Sequence, residues 1–194
     1  KVAFGKNGED FPPWPISFQG QFRLNLKLSP VGHLGVFTEQ AENWHWIRQQ
    51  IKRLKNGQQE PVDVLNLFAY TGAFSVYAAD GGAQSTTTVD LSNNYLDWAE
   101  RNMQLNGFTG DQHNYVQSDI REYLRSLPQE ELFDLAVIDP PTFSNSKSTD
   151  EDWVLQEHYP ELINSVINRL RPGGVIYFSN NYRRFKFNES YIRG

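Results

Sequence analysis

From Val62 onward the chain repeats one rhythm: a short apolar run, a turn, then apolar residues at helical spacing. Val62–Phe68 reads as a strand and Ala73–Ala79 as a helix closed by Gly81-Gly82. Ser85–Val89 is a β-branched strand, and Asn93–Leu105 a helix ended by Asn106-Gly107. His113–Gln117 and Leu132–Ile138 follow as strands, with a helix over Ile120–Leu127 between them. The pattern then predicts a helix from about Glu157 to Leu170, ended at Pro172-Gly173-Gly174, and a fifth strand over Val175–Ser179. Nearly all-apolar strands are those covered by helices on both faces. Alternating strands and helices predict an α/β fold with a doubly wound, mostly parallel sheet. Upstream the pattern differs. Phe18, Phe22, Leu24, Leu26 and Leu28 nearly alternate with polar residues, as in a half-buried strand pair. Thr38 reads as an N-cap. The helix after it runs to about Leu54, with Ala41, Trp44, Ile47, Ile51 and Leu54 on one face and Asn56-Gly57 at its end. The expected division is an N-terminal extension over residues 1–56 and a core domain over residues 57–194.

Doubly wound sheets bind ligands at the carboxyl ends of their strands. After the first core strand comes a turn with one glycine, Gly72. A dinucleotide site would want three glycines and a nucleoside triphosphate site a lysine, so NAD, FAD and ATP are disfavoured. Asp90 ends the second strand, 18 residues past Gly72. A carboxylate there is placed to accept from ribose hydroxyls; the competing reading is that Asp90 or Ser92 caps the next helix. Asp119, after the third strand, could accept from an adenine amino group with Ile120 packing the ring, or simply cap its helix. After the fourth strand comes Asp139-Pro140-Pro141-Thr142-Phe143. Two prolines fix two φ angles and remove two donors. The expectation is a rigid stretch with exposed carbonyls, an acid to fix one edge of a planar base, and Phe143 to stack on it.

Together Asn66–Gly72, Asp90, Asp119 and Asp139–Phe143 resemble the class I S-adenosylmethionine-dependent methyltransferases, a Rossmann-like fold. Three stretches resemble the large-subunit ribosomal RNA methyltransferases: Val64–Gly72 (VLNLFAYTG), Ser85–Gly107 and Ile138–Lys147 (IDPPTFSNSK). Within these, the nearest resemblance is to the guanine-N7 half of the fused bifunctional 23S rRNA enzymes, and it spans about residues 32–185. It implies a cofactor, S-adenosyl-L-methionine, held by Asn66, Phe68, Tyr70, Thr71 and Gly72. Asp90, Leu91 and Ser92 would sit at its ribose, and Asp119 and Ile120 at its adenine. Asp139, Pro140, Pro141 and Phe143 would be the catalytic, base-holding residues. It also implies a cytoplasmic enzyme acting on 23S rRNA, with no membrane and no metal. Gly35–Trp44 (GVFTEQAENW) is similar to the family's segment beside the cofactor, but Thr38-Glu39-Gln40-Ala41 departs from the usual acid-plus-Arg wording.

Composition narrows the chemistry. None of the 194 residues is Cys, which excludes thiolate metal sites and thiol nucleophiles within this chain. Cytosine C5 is methylated through a thiolate added at C6, so that route is closed. Where the cytosine-C5 relatives carry Ser-Cys, this chain reads Ser179-Asn180-Asn181. Guanine N7 has a free lone pair and loses no proton, whereas an exocyclic amine needs an acceptor that Asp139 could supply. Lys+Arg number 18 and Asp+Glu 23, for a net charge of −5, so RNA is expected to be gripped by a local patch or with outside help. The turn Arg183-Arg184-Phe185-Lys186 could touch phosphates or be a solvated turn. His33, His45, His113 and His158 show no metal-ligand spacing, and Trp44, Trp46, Trp98 and Trp153 read as core. The chain begins at Lys1 without a Met and stops at Gly194. A fragment of a longer protein, with its RNA-binding module elsewhere and its domain cut short at the C-terminus, is therefore expected. The alternatives are methylation of DNA, protein or a small molecule, a nucleotide-dependent oxidoreductase, and a non-catalytic RNA-binding module.

Overall fold

The computed structural model describes residues 14–18, 22–26, 34–58, 61–144 and 153–193. Strands β1 (Trp14–Phe18) and β2 (Phe22–Leu26) form an antiparallel hairpin. Phe22 and Leu24 are buried and Arg23 between them is exposed, as the alternation requires; Leu28 lies outside the described residues. A 3₁₀ turn over Thr38–Gln40 leads into helix α1 (Ala41–Gln58). Two expectations are corrected here. Thr38 is not an N-cap but the first residue of the 3₁₀ turn, with Phe37 at the cap position. The tighter turn closes one step early, through Gln40 N–H donating to Phe37 O at 3.0 Å. Asn56-Gly57 does not end α1, which continues to Gln58, since one glycine in a last turn costs only about 1 kcal/mol.

The core sheet contains β3 (Asp63–Leu67), β4 (Ser85–Asp90), β5 (His113–Gln117), β6 (Phe133–Ile138) and, later in the chain, β9 (Leu170–Phe178). Between them come α2 (Ala73–Gly81), α3 (Asn93–Leu105), α4 (Ile120–Ser126) and α5 (Leu155–Ile167). Two short strands, β7 (Phe143–Ser144) and β8 (Trp153–Val154), pair antiparallel outside the sheet. The sheet is wholly parallel in the order β5-β4-β3-β6-β9. Alternate residues of each strand feed opposite layers. Val64, Leu135 and Val137 pack with Trp44, Ile47 and Ile51 of α1 and with Phe74 and Tyr77 of α2. Leu65, Leu67, Ala136 and Ile138 pack with α4 and α5. This is the doubly wound α/β fold, and its winding reverses between β3 and β6, where a ligand crevice belongs.

One expected boundary is wrong for a physical reason. The helix meant to reach Leu170 ends at Ile167, and Pro172-Gly173-Gly174 lies inside β9. Leu170 already pairs with Phe133, and the register then jumps so that Val175 faces Leu135. The bulge is pinned by Arg171, which donates to Asp134 Oδ2 at 2.6 Å and to Asp63 Oδ2 at 2.9 Å. These carboxylates lie on the neighbouring strands β6 and β3, so no local propensity could announce the pairing.

Candidate active site

A cavity of about 690 Å³ opens at the carboxyl ends of the strands, against the segment 36–44. Of the residues singled out from sequence, Phe68, Tyr70, Thr71, Asp90, Leu91, Ser92, Asp119, Ile120, Asp139, Pro140 and Pro141 line it. Asn66, Gly72 and Phe143 do not. Asn66 is buried beneath, its Nδ2 donating at 2.9 Å to Ser75 Oγ, which in turn shares a hydrogen bond with Thr88 Oγ1. Phe143 lies on β7 and is 53% exposed.

The loop after β3 is held in an unusual shape. Phe68, Tyr70 and Gly72 have φ of 55°, 50° and 74°. For the two non-glycine residues such backbone costs roughly 1–3 kcal/mol each. The surroundings over-determine it. Tyr70 N–H donates to Asp90 Oδ2 at 2.9 Å, Ala69 N–H to Val89 O at 3.1 Å, and Asn102 Nδ2 to Thr71 O at 2.9 Å. From the other side, Gly35 N–H donates to Tyr70 Oη at 3.1 Å and Thr71 Oγ1 to Gly35 O at 2.6 Å. Gly72 must be glycine twice over: its φ is left-handed, and a Cβ there would stand 2.6 Å from that of Ala99. The segment before α1 is thus stapled onto the first strand's turn.

Asp90 is fixed at both oxygens, Oδ2 by Tyr70 N–H and Oδ1 by Ser92 N–H at 2.9 Å. Burial pushes its carboxyl upward from 3.8, and the backbone donors from Ser92, Tyr70 and Leu91 oppose that. A carboxylate has about four lone-pair sites, so these donors do not exhaust it and acceptor capacity remains for a ligand. Tyr95 lies over the same end of the cavity and packs edge-on to Tyr70 at 4.7 Å. Asp119 is an N-cap: its Oδ1 accepts from Arg121 N–H at 2.9 Å and Glu122 N–H at 3.2 Å. It nevertheless lines the cavity beside Ile120, so the cap and ligand readings are compatible.

At the opposite end, Asp139 accepts from Ser179 Oγ at 2.5 Å. Burial again raises its carboxyl, the Ser179 bond lowers it, and the negative charge of Glu39 raises it further. The expected free carbonyls are a correction. Pro141 O accepts from Trp153 Nε1 at 2.8 Å and Thr142 O from Leu155 N–H at 3.1 Å, so the prolines brace β8 and α5. Thr142 Oγ1 donates to Asn181 Oδ1 at 2.8 Å, joining the stretch to the segment after β9.

Trp153, expected in the core, and Tyr95 and Asn181, which no sequence motif singles out as ligand-facing, also line the cavity. Trp153 is buried and also forms cavity wall, 5.6 Å from the ring of Phe68. The only signal for Asn181 was its place just past the fifth strand. The histidines have structural partners: His158 Nδ1 accepts from Val154 N–H and stacks on Trp153, and His113 Nδ1 bonds Thr86 Oγ1. His33 lies outside the described residues. Phe185 packs against Tyr159 and Phe178, while Arg183, Arg184 and Lys186 are exposed around it.

A single-glycine strand turn, a carboxylate at the tip of the second core strand and an acid-Pro-Pro wall thus meet around one cavity at the strand ends of a doubly wound sheet. The S-adenosylmethionine-dependent methyltransferase family matches residues 5–184, and the chain belongs to it. It is 43% identical over 169 residues to the "Ribosomal RNA large subunit methyltransferase K/L" of Shewanella loihica and 44% over 172 residues to that of Alcanivorax borkumensis. Those alignments cover 87% and 89% of this chain but 22% and 23% of the relatives, so the chain spans about a fifth of their length. Among solved structures it is similar to the SAM-dependent methyltransferase from Agrobacterium tumefaciens, with TM-score 0.78 and 28% identity over 95% of this chain and 55% of that one. It is also similar to the methyltransferase SMU.776 complexed with SAH, with TM-score 0.74 and 30% identity over 94% and 45% of the two chains. The cavity suits the family's cofactor. Its volume lies in the range of about 300–1,000 Å³ usual for such ligands, and Asp90 keeps acceptor capacity for hydroxyls.

Proposed function

We propose that the chain transfers a methyl group from S-adenosylmethionine to a base nitrogen of large-subunit rRNA, namely guanine N7. What carries this reading is the Asp139-Pro140-Pro141 wall, locked by Ser179, in the same cavity as Asp90 and the turn after β3. The K/L names of the relatives supply the substrate class. Bound there, the cofactor offers an electrophilic methyl carbon that an acceptor lone pair displaces from sulfur. In this reading Asn66, Phe68, Tyr70, Thr71 and Gly72 form and support the bed of its methionine part. Asp90, Leu91 and Ser92 hold its ribose, and Asp119 and Ile120 its adenine. Asp139, Pro140 and Pro141 position the base, while Phe143, exposed beside them, offers RNA a stacking face. Excluding water and aligning the acceptor do most of the work, since N7 has no proton to remove.

We assign residues 57–194 to the methyltransferase domain and 1–56 to an extension packed on it through α1. The substrate reading places the protein in the cytoplasm. No helix among the described residues is long and apolar enough to cross a membrane. With a net charge of −5, the RNA grip falls to local cations such as Arg183 and Arg184, or to sequence outside these 194 residues. The burial-raised carboxyl of Asp139 favours a second reading, an exocyclic amine whose proton Asp139 accepts. Mass mapping of methyl groups on rRNA from a strain whose full-length gene carries Asp90→Ala, which disables this site alone, decides. Loss of one N7-methylguanine supports the first reading, loss of an N-methylamino group supports the second, and an unchanged map removes both.

A further inference from the structure

The 3₁₀ turn ahead of α1 brings two neighbouring polar side chains, Glu39 and Gln40, into the cavity wall with Asp139 and Pro140. Gln40 is oriented by its own bonds: Oε1 accepts from Asn43 Nδ2 at 2.6 Å and from Tyr177 Oη at 3.3 Å. Both lone pairs of that oxygen are then used, and its Nε2 group, two donors, makes no hydrogen bond among the described residues. Glu39 is exposed and likewise makes no hydrogen bond or ion pair among them. Glu39 shares the cavity wall with Asp139, and its charge acts on that carboxyl. Both side chains line the cavity, so the pair gives it donors from an amide and the two acceptor oxygens of a carboxylate.

One standard base complements that array along its whole Watson–Crick edge. Guanine presents an acceptor at O6 followed by donors at N1 and N2. Adenine and cytosine each present a donor where Gln40 also donates. Uracil offers an acceptor at O4 but a single donor, with a second acceptor at O2 where Glu39 also accepts. The methyl acceptor N7 lies off that edge, so reading it leaves N7 open. Alkylating N7 also leaves the ring positively charged, which the carboxylates of Glu39 and Asp139 would offset.

We propose that Glu39 and Gln40 are specificity-determining residues that read the Watson–Crick edge of the target guanine, Gln40 Nε2 donating to O6 and the Glu39 carboxylate accepting from N1–H and N2–H. This rests on the guanine-N7 reading above. It also gives a use to the departure Thr38-Glu39-Gln40-Ala41 noted in the sequence.

The test uses the full-length protein and synthetic RNA spanning the mapped site, carrying guanosine or inosine at the target. Inosine keeps O6 and N1–H but lacks the N2 amino group. The parent should methylate guanosine on the order of tenfold faster than inosine. Glu39→Gln should lower guanosine methylation by about tenfold or more and bring the guanosine-to-inosine ratio close to one. Gln40→Glu keeps an oxygen for Asn43 and Tyr177 but sets a carboxylate against O6, and should lower both rates together. Calorimetry with S-adenosylhomocysteine should give unchanged affinity in both variants, which also reports that they fold. A parent that methylates guanine N7 while Glu39→Gln retains the parental ratio overturns this inference alone. Loss of S-adenosylhomocysteine affinity with an unchanged ratio also overturns it, by placing the pair on the cofactor. A parent that methylates no guanine N7 overturns the functional reading and this inference with it.

Discussion

Asp90 and Asp139 are both partly buried carboxylates whose protonated forms desolvation favours, yet their surroundings differ in kind. Asp90 is held by backbone N–H groups, Asp139 by a serine hydroxyl. Asp90→Ala removes charge-assisted bonds worth on the order of 1.5–3 kcal/mol each, so cofactor affinity measured by calorimetry should fall at least tenfold. Unchanged affinity would reduce Asp90 to a brace for the Tyr70 turn. Asp139→Asn keeps an acceptor for Ser179 but removes the charge. Because the folded-state carboxyl is raised above 3.8, ionising it costs folding stability as pH climbs from that value through the raised one. The variant should therefore be more stable than the parent at neutral pH, with the advantage shrinking as pH falls toward 4. Thermal unfolding across that range checks the sign. In rate, an exocyclic-amine acceptor predicts a loss of about 100-fold or more, and N7 a smaller, positional loss.

At the scale of elements, the turn after β3 and the segment before α1 form one unit, joined through Gly35, Tyr70 and Thr71. Gly72→Ala should cost about 2–4 kcal/mol, from left-handed backbone on an alanine plus overpacking against Ala99. Denaturant unfolding equal to the parent's would mean that α3 yields freely. The core strands and helices were legible because their signal is local: apolar runs of strand length, and helix ends marked by Gly82 and Asn106. The cavity-lining strand-tip residues were legible because a doubly wound sheet dictates where strands end. What escaped was non-local. The β9 bulge depends on a guanidinium reaching two other strands, and the Pro141 and Thr142 carbonyls are occupied by Trp153 and Leu155, on elements 12 or more residues downstream. Gln40 declares itself only once Tyr177, 137 residues away, fixes its amide.

At the scale of these 194 residues the rRNA reading proposed above sets an electrostatic problem, because their net charge of −5 opposes approach to a polyanion. The active edge nevertheless carries Arg183 and Arg184, exposed and without an ion pair among the described residues. They follow Asn181, which lines the cavity and bonds Thr142 beside Phe143. The turn has a rigid base: Phe185 packs on Tyr159 and Phe178, and Lys186 N–H donates to Gln156 Oε1 at 2.9 Å. Two cations on a fixed platform beside the base end of the cavity would meet the phosphates flanking an inserted nucleotide. Phosphate contacts release counterions, about 0.7 per charge on single-stranded nucleic acid, so each arginine in contact steepens the salt dependence by roughly that amount. Replacing both by alanine in the full-length protein should flatten the plot of log affinity against log salt by about 1–1.5 for rRNA. S-adenosylhomocysteine affinity should stay at the parental value. A parental salt slope in the double variant would return these arginines to the solvated face of a turn and send the RNA grip to another surface.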